Sequence, residues 1–436
     1  MQKNLRISVA LLMFFAAVLF FATGDRSRTT SAGSDADDFL KGEVLVKLTS
    51  TGHLAPVAVQ YNLDPNPLGQ FGSRAIYRLR ITDGAKVEDR VNQLLRDERV
   101  AFAEPNFIER APEGGGNGWS VGNGWSVGNG WSVGDPSVYI SQWAPEVIQL
   151  NQAHQINRGT LKDGRPVRIA VLDTGVDASH PALAGRLLPG FDFVDMDTDP
   201  GEVGNLGIGP YGHGTHVAGL IALAAPAVQI IPIRVLDKTG LGNTWVLAEA
   251  LAFAVDPDNN PATDDGADVI NLSLSTLRRT RMLRRVLERA CANSATPDEN
   301  DFPVGKPNLV VVAAAGNGGD FTEQYPAAEN VDGLLAVAAS TNQDVLAAFS
   351  SRGSWVGVVA PGQGIISSVP GGGYAIWSGT SMAAPLVAAE AALIHAQFPK
   401  VSNRDIATHI KKTGKRIGGP VDVRIDFLQA LSSTPK

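Results

Sequence analysis

Val167-Arg-Ile-Ala-Val-Leu-Asp-Thr-Gly175 is the stretch on which the fold turns. Its apolar residues run together instead of alternating with polar ones, so it predicts a strand covered on both faces. The run stops at an acid, Asp173, followed by the turn pair Thr174-Gly175. Outward from it, similar runs occupy 228–235, 267–274, 308–315 and 333–338. Helical stretches stand between them at 213–223, 244–255 and 280–292. Buried strands alternating with helices predict an α/β fold, a doubly wound, mostly parallel sheet with helices on both faces. Sites in such sheets form beyond the carboxyl ends of the strands, which is where Asp173 falls.

Two further segments belong at that edge. Gly212-His-Gly-Thr-His-Val-Ala-Gly219 opens a helix, and Ser378-Gly-Thr-Ser-Met-Ala-Ala-Pro385 opens a long Ala-rich one reaching about Gln397. A serine hydroxyl is a weak nucleophile near neutral pH and needs a base within hydrogen-bond reach. Histidine, with an ordinary pKa of about 6.5, suits that role. A carboxylate on its other ring nitrogen fixes the tautomer and stabilises the imidazolium. Ser381, His213 and Asp173 can fill these places. Ser381, in the first turn of its helix, also gains from unpaired N–H groups and the positive dipole end. Pro385 is expected in that same first turn, where no intrahelical bond is lost. Ala313-Ala-Ala-Gly-Asn317 ends another strand at this edge, and the Asn317 amide suits an oxyanion donor beside the Ser381 N–H. His216 lies a turn deeper than His213 and reads as structural. His180, in Ser-His-Pro, reads as a turn residue.

These blocks resemble the signature blocks of the subtilisin family of serine proteases, in that family's order of Asp, His and Ser. The resemblance spans most of 135–436. It implies Asp173, His213 and Ser381 as a catalytic triad, Asn317 at the oxyanion, polypeptide substrates and a subtilisin-like endopeptidase activity. It implies that a peptide adds as a strand between Gly240-Leu241-Gly242 and Ser273-Leu274-Ser275. Gln324 and Glu323, before Tyr325-Pro326, are then candidates for the S1 lining. Ser275 stands where the family usually has glycine, which leaves the S1 preference open. The resemblance requires no cofactor and leaves calcium open, with no metal ligand assigned. The connection 223–229 is too short for a familiar calcium loop, and Ala182 replaces an acidic residue that the family often has after its His-Pro pair. Two acidic loops remain, one with Asp195, Asp197 and Asp199, the other with Asp256, Asp258, Asn259, Asn260, Asp264 and Asp265. Oxygen-rich loops bind calcium, and Asp/Asn-rich turns also occur without it.

The rest of the 436 residues divides by composition. Lys3 and Arg6 precede an uncharged apolar run from Ile7 to Ala22, the layout of an export signal over 1–24. Residues 25–40 read as a polar spacer. Residues 41–111 predict a small α+β unit, with strands at 42–48, 74–81 and 100–108 and helices at 54–63 and 87–96. It resembles the family's inhibitory propeptide. Residues 112–134 carry three copies of Asn-Gly-Trp-Ser-Val-Gly and read as a linker, with a binding or recognition role for the tryptophans as the alternative, and 135–436 as the catalytic domain. The expected location is secreted or periplasmic, with an uncleaved membrane anchor as the alternative.

A net charge of -7 argues against a nucleic-acid partner. The single cysteine, Cys291, forms no internal disulfide and reads as a buried thiol. Arginines from 278 to 289 read as a solvated helix face. No second Asp-Thr-Gly accompanies Asp173, which excludes paired-aspartate chemistry. No Gly-x-Ser-x-Gly elbow surrounds Ser381, which argues against an α/β-hydrolase esterase. The remaining rival is a catalytically silent relative that only binds peptides.

Overall fold

The computed structural model describes residues 38–111, 136–205, 209–260, 262–292, 306 and 308–435. The export signal at 1–24, most of the 25–40 spacer and the 112–134 linker lie outside the described residues.

The N-terminal unit has β1 (Phe39–Leu48), β2 (Gly69–Gln70), β3 (Ile76–Arg80) and β4 (Val100–Arg110), with helices at Leu54–Gln60 and Val87–Leu94. Its strands pair antiparallel. Alternation sorts their side chains between two cores. Val44, Val46, Leu48, Tyr77 and Leu79 pack beneath the unit's own helices. Leu45, Ile76 and Phe102 face the other way and join the core of the larger unit.

The larger unit continues with β5 (Arg168–Asp173), β6 (Phe191–Asp192), β7 (Gln229–Arg234), β8 (Leu241–Asn243), β9 (Val269–Leu272) and β10 (Val310–Ala314). Then come β11 (Leu334–Ser340), β12 (Val358–Pro361), β13 (Ile365–Val369), β14 (Gly373–Trp377), β15 (Lys415–Arg416) and β16 (Val423–Arg424). The main sheet has the order β15-β16-β12-β11-β10-β9-β5-β7-β6. Its pairs are parallel except β15 with β16. From β5 the chain builds first toward β7 and then, through β9, toward β12. β5 therefore sits at the switch point, and Asp173 is its last residue. The strand β8 leaves this sheet and pairs with β4 of the small unit.

The helix Thr380–Gln397 is buried along its whole length up to Ala396 and packs against β9 to β12 and the helix His213–Ala224. Apolar and small residues all round suit that central place. The expectation for Pro385 is corrected here. It is the sixth residue of the helix, not part of the first turn, so it cannot donate to the Ser381 carbonyl. The Ser273 hydroxyl donates to that carbonyl instead, at 3.2 Å. Cys291 is buried as expected, and desolvation pushes its thiol up to about 12.

Glu390 is the one acid on the buried helix. It is fully enclosed, and neither carboxylate oxygen makes a well-formed hydrogen bond. Burial, helped by the charge of Asp426, pushes its carboxyl well above the ordinary 4.5. A raised folded-state pKa gives stability that is full below the unfolded value and is lost as pH rises through the folded one. The Glu390→Gln variant removes that loss. In thermal unfolding of chains that also carry Ser381→Ala, its advantage over Glu390 is expected to grow above pH 4.5 by about 1.4 kcal/mol per pH unit, until the folded pKa is reached. A pH-independent difference would count against this account.

Candidate active site

The histidine helix starts abruptly because Gly212 turns the chain in the left-handed region, with φ 91°. His213 follows it, buried, and its Nδ1 lies 2.6 Å from Asp173 Oδ1. That oxygen also accepts from the Thr174 N–H at 2.8 Å. A neutral imidazole bonded to the carboxylate in this way donates from Nδ1, which makes Nε2 its acceptor end. The helix can approach β5 so closely because Gly214 has no side chain; a Cβ there would collide with the Gly175 carbonyl oxygen.

His216 takes no part in this pair. Its ring stacks on Trp377 at 4.5 Å, its Nε2 lies 3.2 Å from the Ala375 carbonyl oxygen, and burial lowers its pKa to about 3. His180 sits in a turn, accepting the Ala182 N–H at Nδ1, with Nε2 2.9 Å from the Gly373 carbonyl oxygen.

Ser381 is buried as the second residue of its helix, so its N–H has no partner within that helix. Its Oγ makes no hydrogen bond among the described residues. The structure thus closes the Asp–His link. Asn317 Oδ1 accepts from Thr380 N at 2.9 Å and from Thr380 Oγ1 at 3.0 Å. This fixes the amide: its oxygen is committed to the serine helix and Nδ2 is its donor end.

The expected cleft walls hold a strand of this same chain. The end of β4 runs antiparallel to β8, with Glu109 opposite Gly242 and Arg110 opposite Leu241. On the other side Arg110 exchanges both backbone hydrogen bonds with Ser275, at 2.7 and 2.9 Å. Ala111 N–H donates to Gly240 O at 3.2 Å. Ser273 reaches the Ser381 carbonyl, and Leu274 turns into the core. Gln324 lies across Gly316, 2.7 Å from where a Cβ would stand, and Thr276 pairs with Tyr325 beside it. Gln324 thus lies against the residue before Asn317 and next to the one that pairs with Thr276.

Sequence reading missed three polar anchors. Glu104 accepts from the Arg281 and Met282 N–H groups, at 2.8 and 3.0 Å, capping the helix Arg281–Ala290. Asn106 Oδ1 accepts from Trp245 N at 3.1 Å in the first turn of the helix Thr244–Val255. Their spacing of two on one strand was the available signal. The third, Glu202, joins the aspartate strand to the histidine helix, and its lone place in a Gly-rich loop offered none.

The two acidic loops differ. Asp195 joins Asp192 in pairing with Arg234 at 2.5 Å, and Asp197 accepts the Asp199 N–H, so these carboxylates do not converge. In the other loop one carboxylate oxygen each from Asp256, Asp258 and Asp265 lies within 4.8 Å of the others, while Asp264 turns to Lys306. Burial and these neighbours push Asp256 up to about 6. Such a cluster can hold a hard cation.

A model described as the subtilase family matches residues 164–427, and one described as the fervidolysin N-terminal prodomain matches 25–106. The thermophilic serine proteinase of Bacillus sp. (strain AK1) is 36% identical over 436 residues, 95% of this chain and 93% of that protein. Thermitase of Thermoactinomyces vulgaris is 37% identical over 295 residues, 65% of this chain and 92% of that one. Fervidolysin from Fervidobacterium pennivorans, a keratinolytic enzyme related to subtilisin, superposes with a TM-score of 0.71 at 22% identity. That match covers 91% of this chain and 62% of that one, so this chain spans less than two thirds of it, and the likeness is one of fold.

The Asp173–His213 geometry makes a direct prediction. Asp173→Asn preserves the shape but favours the wrong imidazole tautomer. Its kcat on a peptide substrate, measured near neutral pH, is expected to fall about 10⁴-fold. A loss below about tenfold would remove Asp173 from the orienting role.

Proposed function

The chain belongs to the subtilase family, and from that premise we propose that it is an exported serine endopeptidase, made as a precursor that processes itself. The observation that carries this reading is the buried 2.6 Å contact between His213 Nδ1 and Asp173 Oδ1, at the edge where the Ser381 helix begins.

In the proposed reaction Ser381 Oγ attacks the carbonyl carbon of the scissile peptide and passes its proton to His213 Nε2. The imidazolium is stabilised by Asp173. The oxyanion is met by Asn317 Nδ2 and the Ser381 N–H. The C–N bond then breaks as His213 returns the proton to the leaving amine, leaving an acyl-enzyme on Ser381. Water, deprotonated by His213, attacks that ester and regenerates the serine. No step needs a cofactor.

Residues 41–111 are proposed as the intramolecular inhibitor. The paired tail at 108–111 supports this, because it occupies the walls a substrate strand would use. Beyond Arg110, opposite Ser275, the chain runs in the direction of Ser273, whose hydroxyl touches the nucleophile's backbone. Self-cleavage is proposed between about 111 and 140. Export rests on the basic and apolar pattern of 1–24. Among the described residues no helix is long and apolar enough to cross a membrane.

Two outcomes are expected. Ser381→Ala should accumulate uncut precursor, while the unaltered chain matures and takes a fluorophosphonate label on Ser381. A mature protein that takes no label favours the silent, peptide-binding relative. The second concerns Glu109, whose carboxyl is enclosed against Thr244 and pushed up by burial to about 8. Docking the tail then binds a proton, so its grip is full below pH 4.5 and weakens as pH rises toward 8. Release of the cut tail, followed as the onset of activity, should quicken over that range and do so less in Glu109→Gln. The same pH dependence in both would overturn this.

A further inference from the structure

Glu202 lies in the loop between β6 and the histidine helix, on a segment that carries no other part of the proposed chemistry. The residue as a whole is half-buried, but its carboxylate is the inward end. Oε2 accepts from Thr174 Oγ1 and from Gly212 N, both at 3.0 Å. Oε1 accepts from Thr215 N at 3.0 Å and Thr215 Oγ1 at 2.9 Å. Thr174, Gly212 and Thr215 are all buried. Thr174 directly follows Asp173, while Gly212 directly precedes His213. One side chain thus holds the residue after the acid and the residues on both sides of the base.

The physical need for it is visible at the helix start. Gly212 is the N-cap and has no side chain to offer the first-turn N–H groups. Left buried without acceptors, those donors would lose their bonds to water and gain nothing in exchange. Glu202 supplies the cap from outside the helix, although burial, with Asp173 nearby, pushes its carboxyl up to about 7. Thr174 extends the same clamp, since its Oγ1 accepts from Gly214 N at 3.0 Å while donating to Glu202. The loop itself is fastened to the strand end by Val176 N–H on Pro200 O, at 2.9 Å.

We propose that Glu202 is a positioning residue for the hydrolytic site, clamping the end of the aspartate strand to the start of the histidine helix and so fixing the Asp173–His213 pair. The proposal rests on the reading of Asp173, His213 and Ser381 as the hydrolytic triad. The Glu202 carboxylate bonds to Thr174, Gly212 and Thr215, so its effect passes through the angle and depth at which the imidazole is presented. Reacting groups displaced by about 1 Å lose on the order of 10²-fold in rate. Binding of the substrate strand to Gly240–Gly242 and Ser273–Ser275 does not use this loop.

The test uses the full chain, expressed, allowed to mature and titrated with a fluorophosphonate so that kcat is counted per labelled Ser381. Glu202→Gln keeps the size but turns one oxygen into an NH2 group, which leaves the Gly212 or Thr215 N–H without its acceptor. Its kcat per labelled site is expected to fall about 10²-fold, with KM for a peptide substrate within about twofold. Thr174→Val, which removes one hydroxyl from the clamp, should lower kcat in the same way, and Thr174→Ser should recover most of it. The double variant should lose less than the two single losses multiplied, since both act through one clamp. If Glu202→Gln fails to mature, the Thr174 pair decides the matter alone. Full kcat per labelled site, or a loss that appears only as fewer labelled sites, overturns the proposal. An unaltered chain that neither labels nor hydrolyses would instead sink the hydrolytic reading on which it rests.

Discussion

Helix N-termini at one sheet edge are the constraint on which the rest of this structure depends. Each begins with N–H groups that have no partner in its own helix, and burial there forbids leaving them to water. The serine helix offers Thr380 N to Asn317. The histidine helix offers Gly212 N and Thr215 N to Glu202. The helices at 244–255 and 281–290 take local caps from Asn243 and Thr280, and further caps from Asn106 and Glu104 of the small unit. The groups that satisfy these donors also set the site: Asn317 is turned by its bond to Thr380, and His213 is held by the clamp around it.

The same constraint explains why the small unit docks where it does. Its sheet presents one face to its own helices and the other to the helices of the larger unit. Glu104 and Asn106 deliver acceptors to two helix starts at once, and Phe71 meets Trp245 edge-on at 6.0 Å. Once those anchors are set, the following residues have little choice but to run between Leu241–Asn243 and Ser275. Burial is the cost at two of these acids: it pushes Glu104 to about 7 and Glu109 to about 8. Both carboxyls are thereby harder to ionise than in water.

Much of this was legible in the chain. Continuous apolar runs ending in Asp173, in Ser273–Ser275 and in Asn317 located a parallel sheet and its functional edge, because a strand covered on both faces leaves that pattern. The helix at 244–255 came out with the bounds read from sequence. Less came through where the signal was weak or shared. The β13–β14 hairpin, Ile365–Val369 with Gly373–Trp377, was not anticipated, and β4 ran past the expected end to Arg110 because it pairs with β8. Pro385 was misplaced because its effect depends on a partner, Ser273, that no local rule brings near.

What the sequence by itself determined is the chemistry on offer: a serine, a histidine, an acid and an amide, each at the end of a strand or the start of a helix. Local spacing encodes such things directly. What only the tertiary structure decided is which polar groups meet across long separations in the chain. The 2.6 Å Asp173–His213 contact, the Glu202 clamp, the Ser273 bond to the Ser381 carbonyl and the pairing of 108–110 with Leu241–Asn243 and Ser275 all belong to that class. The reason is physical: a buried donor must find an acceptor wherever packing brings one, and periodicity along the chain carries no record of that choice.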